Sequence, residues 1–153
     1  MEISRKTDYA LRMLAELVRR SDAIVSVRHA AEENGVPYSF ARAIQHDLTR
    51  AGIVESVRGA HGGMKLAVDP SQTTLLDIVE AVQGPVRFSD CEVASDGDPC
   101  PFIDRCNYTP IWSNAARIMR SFFEAVTLRQ IVIDGLMPDI EAGVTLVPSR
   151  SYT

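Results

Sequence analysis

The sequence predicts a mainly α-helical protein with one small β-hairpin, organised as a winged helix-turn-helix followed by a long dimerisation helix. Three observations predict it. Apolar residues recur at helical spacing through the first third of the chain and are interrupted by Gly35 and Gly52. The period then switches to near-alternation on either side of a glycine-rich tip, Arg58-Gly59-Ala60-His61-Gly62-Gly63. The longest helical pattern lies towards the C-terminal end, beyond an aperiodic stretch that holds all three cysteines of the chain.

Tyr9, Ala10, Met13, Leu14, Leu17 and Val18 form one apolar face of a first helix, for which Thr7 and Asp8 supply the cap and first turn and which ends near Arg20. Ser26 caps a short second helix over 27–34 that Gly35 stops, as a residue able to take positive φ does. Val36-Pro37 turns the chain into a third helix over 39–50, closed by Gly52. Two short helices joined by a glycine-containing turn are a helix-turn-helix. Its second helix offers Tyr38, Ser39, Arg42, Gln45 and His46 to DNA between apolar Ala41, Ile44 and Leu48. The hairpin over 53–68 is then a wing, with Arg58, Gly59 and His61 at its tip facing a minor groove or phosphates. The same glycines could cradle a nucleotide phosphate, but a phosphate loop opens a helix and this one leads into a second strand.

Thr73 or Thr74 caps a helix over 75–83 that Gly84-Pro85 ends. Residues 85–109 have little periodicity and contain Cys91, Cys100 and Cys106 among the acids Asp90, Glu92, Asp96, Asp98 and Asp104. Loops of such length inside compact chains are functional or disordered. Pro110 starts a helix expected to run from 111 to about 136, with Ile111, Ala115, Ile118, Phe122, Ala125, Val126 and Ile133 along one side, a face most simply buried against a copy of itself. The expected organisation is a DNA-binding unit over 1–84, a cysteine loop over 85–109, a dimerisation helix over 110–136 and a patternless tail over 137–153.

Composition is that of an ordinary globular chain, 46% hydrophobic and 24% charged. No apolar run approaches a membrane span, and the charged N-terminus is unlike a signal peptide, so a cytoplasmic protein is expected. Net charge is −4, but residues 1–65 carry +2 and residues 66–153 carry −6. A basic front end suits phosphates while the acidic rear stays in solvent. Three cysteines, an odd number, argue against a disulfide framework and for metal binding or redox chemistry.

The opening Ile3-Ser4-Arg5-Lys6-Thr7-Asp8-Tyr9-Ala10-Leu11-Arg12, the wing from Val57 to Ala67 and the segment Thr74 to Gly84 together resemble the Rrf-two family of bacterial transcription regulators, which includes the IscR, NsrR and RirA types. The resemblance covers roughly residues 1–135 and is most specific in the Arg-Gly-x-x-Gly-Gly wing and the three cysteines. It implies a homodimer that reads a palindromic operator and carries an iron–sulfur cluster, [2Fe-2S] or [4Fe-4S], whose state sets DNA affinity. Two departures stand out. Eight residues separate Cys91 from Cys100, more than in the IscR-like pattern, and Thr109 occupies the place where IscR-type members have a ligating histidine. In NsrR-like members a carboxylate from the partner's first helix completes the site, and the matching residue is Asp8.

Three thiolates and one weak oxygen ligand would give a labile cluster, which is what a sensor needs. Unligated thiols in a loop are the plain alternative; zinc is disfavoured because no C-x-x-C pair occurs. Asp8 needs no metal to justify it, since a first-turn acid complements the helix dipole. A small iron–sulfur electron carrier or thiol oxidoreductase could use the same cysteines, but would need neither helix-turn-helix nor wing, so no enzyme is expected. A cluster-free, thiol-sensing DNA-binding regulator is the intermediate reading.

Overall fold

The computed structural model describes residues 1–91, 100–139 and 145–148. The acids Glu92, Asp96 and Asp98 and most of the tail fall outside them. Helix α1 (Arg5–Arg19) is capped by Ser4, whose Oγ accepts from the Thr7 N–H at 3.1 Å. The cap therefore lies three residues earlier than the Thr7 expected from the sequence. Thr7 is instead fully buried in the first turn, its hydroxyl donating to Gln83 at 2.6 Å, while Asp8 does lie in the first turn. Helix α2 (Val27–Glu33) is capped by Ser26 as expected, and α3 (Tyr38–Arg50) follows Pro37. Strands β1 (Val54–Val57) and β2 (Gly63–Leu66) pair antiparallel, Val54 opposite Leu66 and Val57 opposite Gly63. Helix α4 (Leu75–Gln83) starts at a capping box in which Thr74 and Asp77 each bond the other's backbone N–H.

Ala10, Met13, Leu14 and Leu17 of α1 meet Ala41, Ile44 and Leu48 of α3, with Val54, Met64 and Ile78 in the same core. A smaller core joins Leu76, Val79 and Val86 to Phe123. The wing is anchored as well as packed: Val25, just before α2, exchanges two backbone hydrogen bonds with Met64 at 2.9 and 2.8 Å.

The C-terminal half departs from expectation. The helix is α5 (Thr109–Glu124), which stops well short of residue 136; a separate α6 (Leu128–Val132) follows, and then β3 (Leu136–Asp139) pairs antiparallel with β4 (Thr145–Pro148) inside the supposedly patternless tail. Competing backbone partners explain the break. Leu75 N–H donates to the Val126 carbonyl at 2.8 Å and Leu128 N–H to the Thr73 carbonyl at 2.9 Å, so the chain leaves α5 to pair beside the start of α4. Thr127 and Gln130 then form a capping box for α6.

Gly63 is required for the wing's close approach. A Cβ there would stand 2.2 Å from the Val25 carbonyl oxygen, a backbone atom that cannot swing aside. Gly63→Ala is expected to cost about 1–3 kcal/mol, as overpacking does, read as a lower midpoint in urea unfolding. An unchanged midpoint would show that the Val25–Met64 bridge yields freely.

Candidate nucleic-acid interface and cysteine loop

The amphipathic pattern of α3 buries Ala41, Ile44 and Leu48 and leaves Tyr38, Ser39, Arg42 and His46 exposed. Between α3 and β1 lies a groove of about 460 Å³ lined by Arg42, Gln45, His46, Thr49, Ser56, Val57, Arg58 and Gly59. Arg58 projects beside Gly59, which takes φ +113, and Arg58 has no ion-pair partner among the described residues. Gln45 is only 8% exposed. Its Nε2 donates to Ser56 Oγ at 3.0 Å and its Oε1 accepts from Arg42 at 3.1 Å, so it braces α3, expected from the sequence to be the DNA-recognition helix, against the wing. A second groove of about 270 Å³ is bordered by Arg28, Tyr38, Arg42, Gln45 and Gly59. The Arg28 guanidinium lies 4.7 Å from the Tyr38 ring centre, a cation–π contact that fixes both side chains at its rim. Ser39 and His61 are exposed but border neither groove.

Sequence reading missed Arg28. Its only local signal was a cation in the first turn of the helix preceding the recognition helix; its meeting with Tyr38 is a tertiary fact.

All three cysteines are free and partly exposed. Cys100 N–H donates to the Cys91 carbonyl at 3.2 Å, which brings the backbones of the two cysteines together. After a 3-10 turn over Ile103–Arg105, Cys106 stands at the entrance to α5. The Thr109 hydroxyl, then the Tyr108 and Thr109 backbone N–H groups, draw the Cys106 thiol below its ordinary range, although the buried hydroxyl oxygen makes no hydrogen bond of ordinary geometry, so the backbone groups are the firmer part of that setting. The two backbone N–H groups are ones a helix start leaves unpaired, and donors of this kind favour the thiolate that soft metals and oxidants both require. In kind the donors suit an iron–sulfur cluster: free thiols, one biased towards ionisation. Among the described residues no three His, Cys, Asp or Glu side chains gather as a metal site. Asp8 pairs along its own helix with Arg12 at 2.6 Å, both side chains about half exposed.

Helix α5 carries Ile111 and Ile118 two turns apart, 55% and 65% exposed, with Trp112 and Tyr108 also exposed nearby. No helix among the described residues is long and apolar enough to cross a membrane.

A helix-turn-helix braced to a two-stranded wing, followed by a helix with an uncovered apolar edge, places the chain in the winged-helix class. It belongs to the Rrf2 family: the family model described as iron-dependent transcriptional regulator matches residues 3–134. The chain is 34% identical over 139 residues to protein aau3 of Rhizobium meliloti, covering 90% of this chain and 85% of the relative. It is 31% identical over 152 residues to the HTH-type transcriptional repressor NsrR of Streptomyces coelicolor, covering 97% and 99%. Among solved structures it resembles CymR, the global cysteine regulator of Bacillus subtilis, with a TM-score of 0.67 and 26% identity over 86% of this chain and 96% of that one.

The setting of Cys106 gives a pH prediction. A lowered thiol pKa means that thiolate persists to lower pH, so alkylation of Cys106 in metal-free protein should reach half its maximal rate below the ordinary thiol value of about 8.5. Thr109→Val removes the first cause of the shift and should move that midpoint upward. Peptide-resolved iodoacetamide labelling across pH reads both, and a midpoint unmoved by the substitution would assign the shift to the backbone alone.

Proposed function

We propose that the chain is a dimeric DNA-binding transcription regulator, acting as a repressor in the cytoplasm, whose affinity for a palindromic operator responds to an iron–sulfur cluster. Cys91, Cys100 and Cys106 would hold the cluster, and the partner subunit's Asp8 would complete it. The observation that carries this reading is the joining, in one chain, of a groove bounded by Arg42, His46 and Arg58 to a cysteine loop whose last thiol is biased towards ionisation.

The residues divide the work. Arg42, Arg58 and the Tyr38–Arg28 pair meet the duplex; Gln45 keeps helix and wing at a fixed separation while they do so. Gly59 at the groove and the exposed Ser39 and His61 would contact the DNA backbone. The apolar edge of α5, Ile111 and Ile118 foremost, supplies a surface a second copy would cover, and a two-fold axis then sets two recognition helices about one helical turn, roughly 34 Å, apart. A bound cluster would supply a charged centre that nitric oxide, oxygen or iron scarcity can alter. Asp8, drawn off Arg12, would tie that centre to α1.

A second reading, a regulator that senses by thiol oxidation without a cluster, is favoured by the partly exposed free thiols and by the likeness to CymR. Iron and sulfide analysis of protein purified without oxygen separates the two.

Arg58→Ala is expected to weaken operator binding by about 1–3 kcal/mol if it reads a base edge, with a shallower salt dependence if it meets a phosphate. Fluorescence anisotropy over a salt series checks this, and unchanged affinity refutes the assignment.

Each of Cys91→Ala, Cys100→Ala and Cys106→Ala should yield colourless protein, because a site with one non-cysteine ligand cannot spare a thiolate. Full visible absorbance in any of them removes that residue from the ligand set. Asp8→Ala should leave folding intact, since a first-turn acid contributes only about 0.3–1 kcal/mol, yet alter the visible spectrum and shorten its lifetime in air. An identical spectrum and decay would move the fourth ligand elsewhere.

A further inference from the structure

The first turn of α1 is gripped from two directions. On one side stands Gln83, the last residue of α4, eight residues before Cys91. Its Oε1 accepts from the Ser4 N–H at 3.0 Å and from the Thr7 hydroxyl at 2.6 Å, while its Nε2 donates to the Glu2 carbonyl at 3.1 Å. The amide orientation is fixed by these partners, because a backbone N–H can only donate and a carbonyl only accept. On the other side Lys6 pairs with Asp47 of α3, a carboxylate that also accepts from Arg50 at 3.5 Å and is 12% exposed.

Lys6 and Thr7 are consecutive. In an α-helix they sit about 1.5 Å apart along the axis and about 100° apart around it, so they face different neighbours yet move as one body. Thr7 is fully buried; its hydroxyl meets Ser4 Oγ at 2.9 Å as well as Gln83, but that Ser4 oxygen already accepts the capping bond from the Thr7 N–H, which leaves Gln83 Oε1 as the acceptor outside the helix start. A shift of α4's end is therefore carried into α1 rather than absorbed by slippage. Immediately after Gln83 the chain turns at Gly84, φ +88, and then plants Val86 in the core that includes Phe123 of α5. The segment entering the cysteine loop is thus held at both ends by packed elements.

We infer that Gln83 is a positioning residue for the recognition helix: it passes the placement of the chain entering the cysteine loop to α1 through Ser4 and Thr7, and Lys6 passes it on to α3 through Asp47. This rests on the reading that the cysteines control DNA binding and adds the route.

The test uses the full chain purified without oxygen and a duplex that this protein selects from a random-sequence pool. The quantity read is the response, the ratio of dissociation constants between a protein and the same protein carrying Cys106→Ser. Without other changes the response should be about tenfold or more, within the range of coupled sites. In Gln83→Leu and in Thr7→Val, both near the original shape but lacking the hydrogen bonds, it should fall below about threefold. Thr7→Ser, which keeps the hydroxyl, should restore it. Circular dichroism establishes that each variant is folded at the assay temperature; if Gln83→Leu is not, the Thr7→Val and Thr7→Ser pair makes the same comparison from the other end of the contact. A response that stays at or above about threefold in Thr7→Val overturns the relay and leaves the proposed function standing. No response in the otherwise unchanged protein overturns both.

Discussion

Burial of the apolar face of α1 against α3, α4, α6 and β2 is the interaction on which the rest of the molecule depends. Ala10, Met13 and Leu14 have no exposed surface and Leu17 almost none. Side chains of the size of Met13, Leu14 and Leu17 each contribute about 1.5–3 kcal/mol when fully buried. An exposed pair such as Arg12–Asp8 contributes roughly 0–1 kcal/mol. Packing therefore contributes most to holding α1 in place, and the polar groups of its first turn tie it to the end of α4 and to α3. Because Ile44 of α3 and Met64 of β2 enter the same core, α1 also fixes the recognition helix and wing relative to each other. The groove between them is a by-product of a core that faces away from it.

Helix α4 extends this frame to the cysteines. Its Ile78 belongs to the core around α1, while Leu76 and Val79 on the same helix belong to the core with Phe123. Arg120 of α5 pairs with Glu80 of α4 across the smaller core. The chain thus leaves one packed segment at Val86 shortly before Cys91 and enters another at α5 shortly after Cys106, and a backbone hydrogen bond joins Cys100 to Cys91. Bringing the two ends together costs little more for a long loop than for a short one. An unusual spacing between those cysteines is compatible with this frame because the frame, not the loop, fixes where the chain leaves and returns.

The parts of this fold legible in the sequence are those governed by local rules. The Ser26 and Thr74 caps, the positive-φ stops at Gly35 and Gly52 and the switch of period at the wing all depend on residues within a few positions of each other. Thr7 defeated that reading because its neighbour in space is Gln83, and a threonine whose hydroxyl is claimed by a distant amide is not available as a cap. The break after Glu124 was half legible: Thr127-x-x-Gln130 is a capping-box pattern, but the apolar side chains of Val126 and Leu128 continued the helical rhythm because they serve a core, not a longer helix. Tyr38, Arg42 and Arg58 were readable as charged or aromatic residues on an otherwise solvent-facing surface. Gln45 was placed on the right surface, but its buried amide between Arg42 and Ser56 was not readable, since nothing local says which polar residue of an exposed helix face will turn towards a strand.

The coexistence of a dense core and the proposed sensing role of the cysteines constrains how any signal would travel. Interiors packed at near-crystalline density do not deform continuously, so a disturbance near Val86 cannot fade gradually across α4 and α1. It is either absorbed at the polar rim or delivered as a small displacement of whole helices. The rim around Ser4 and Thr7 is poorly suited to absorption, because Thr7 is fully buried and Gln83 Oε1 accepts from both the Ser4 N–H and the Thr7 hydroxyl. In the proposed dimer a two-fold axis makes the components of equal displacements perpendicular to it opposite in the two protomers, so the effects of those components on the separation of the two recognition helices add. A duplex of fixed helical repeat tolerates little change in that separation, and a modest rearrangement beside the cysteines becomes a large change in the fit of both half-sites at once.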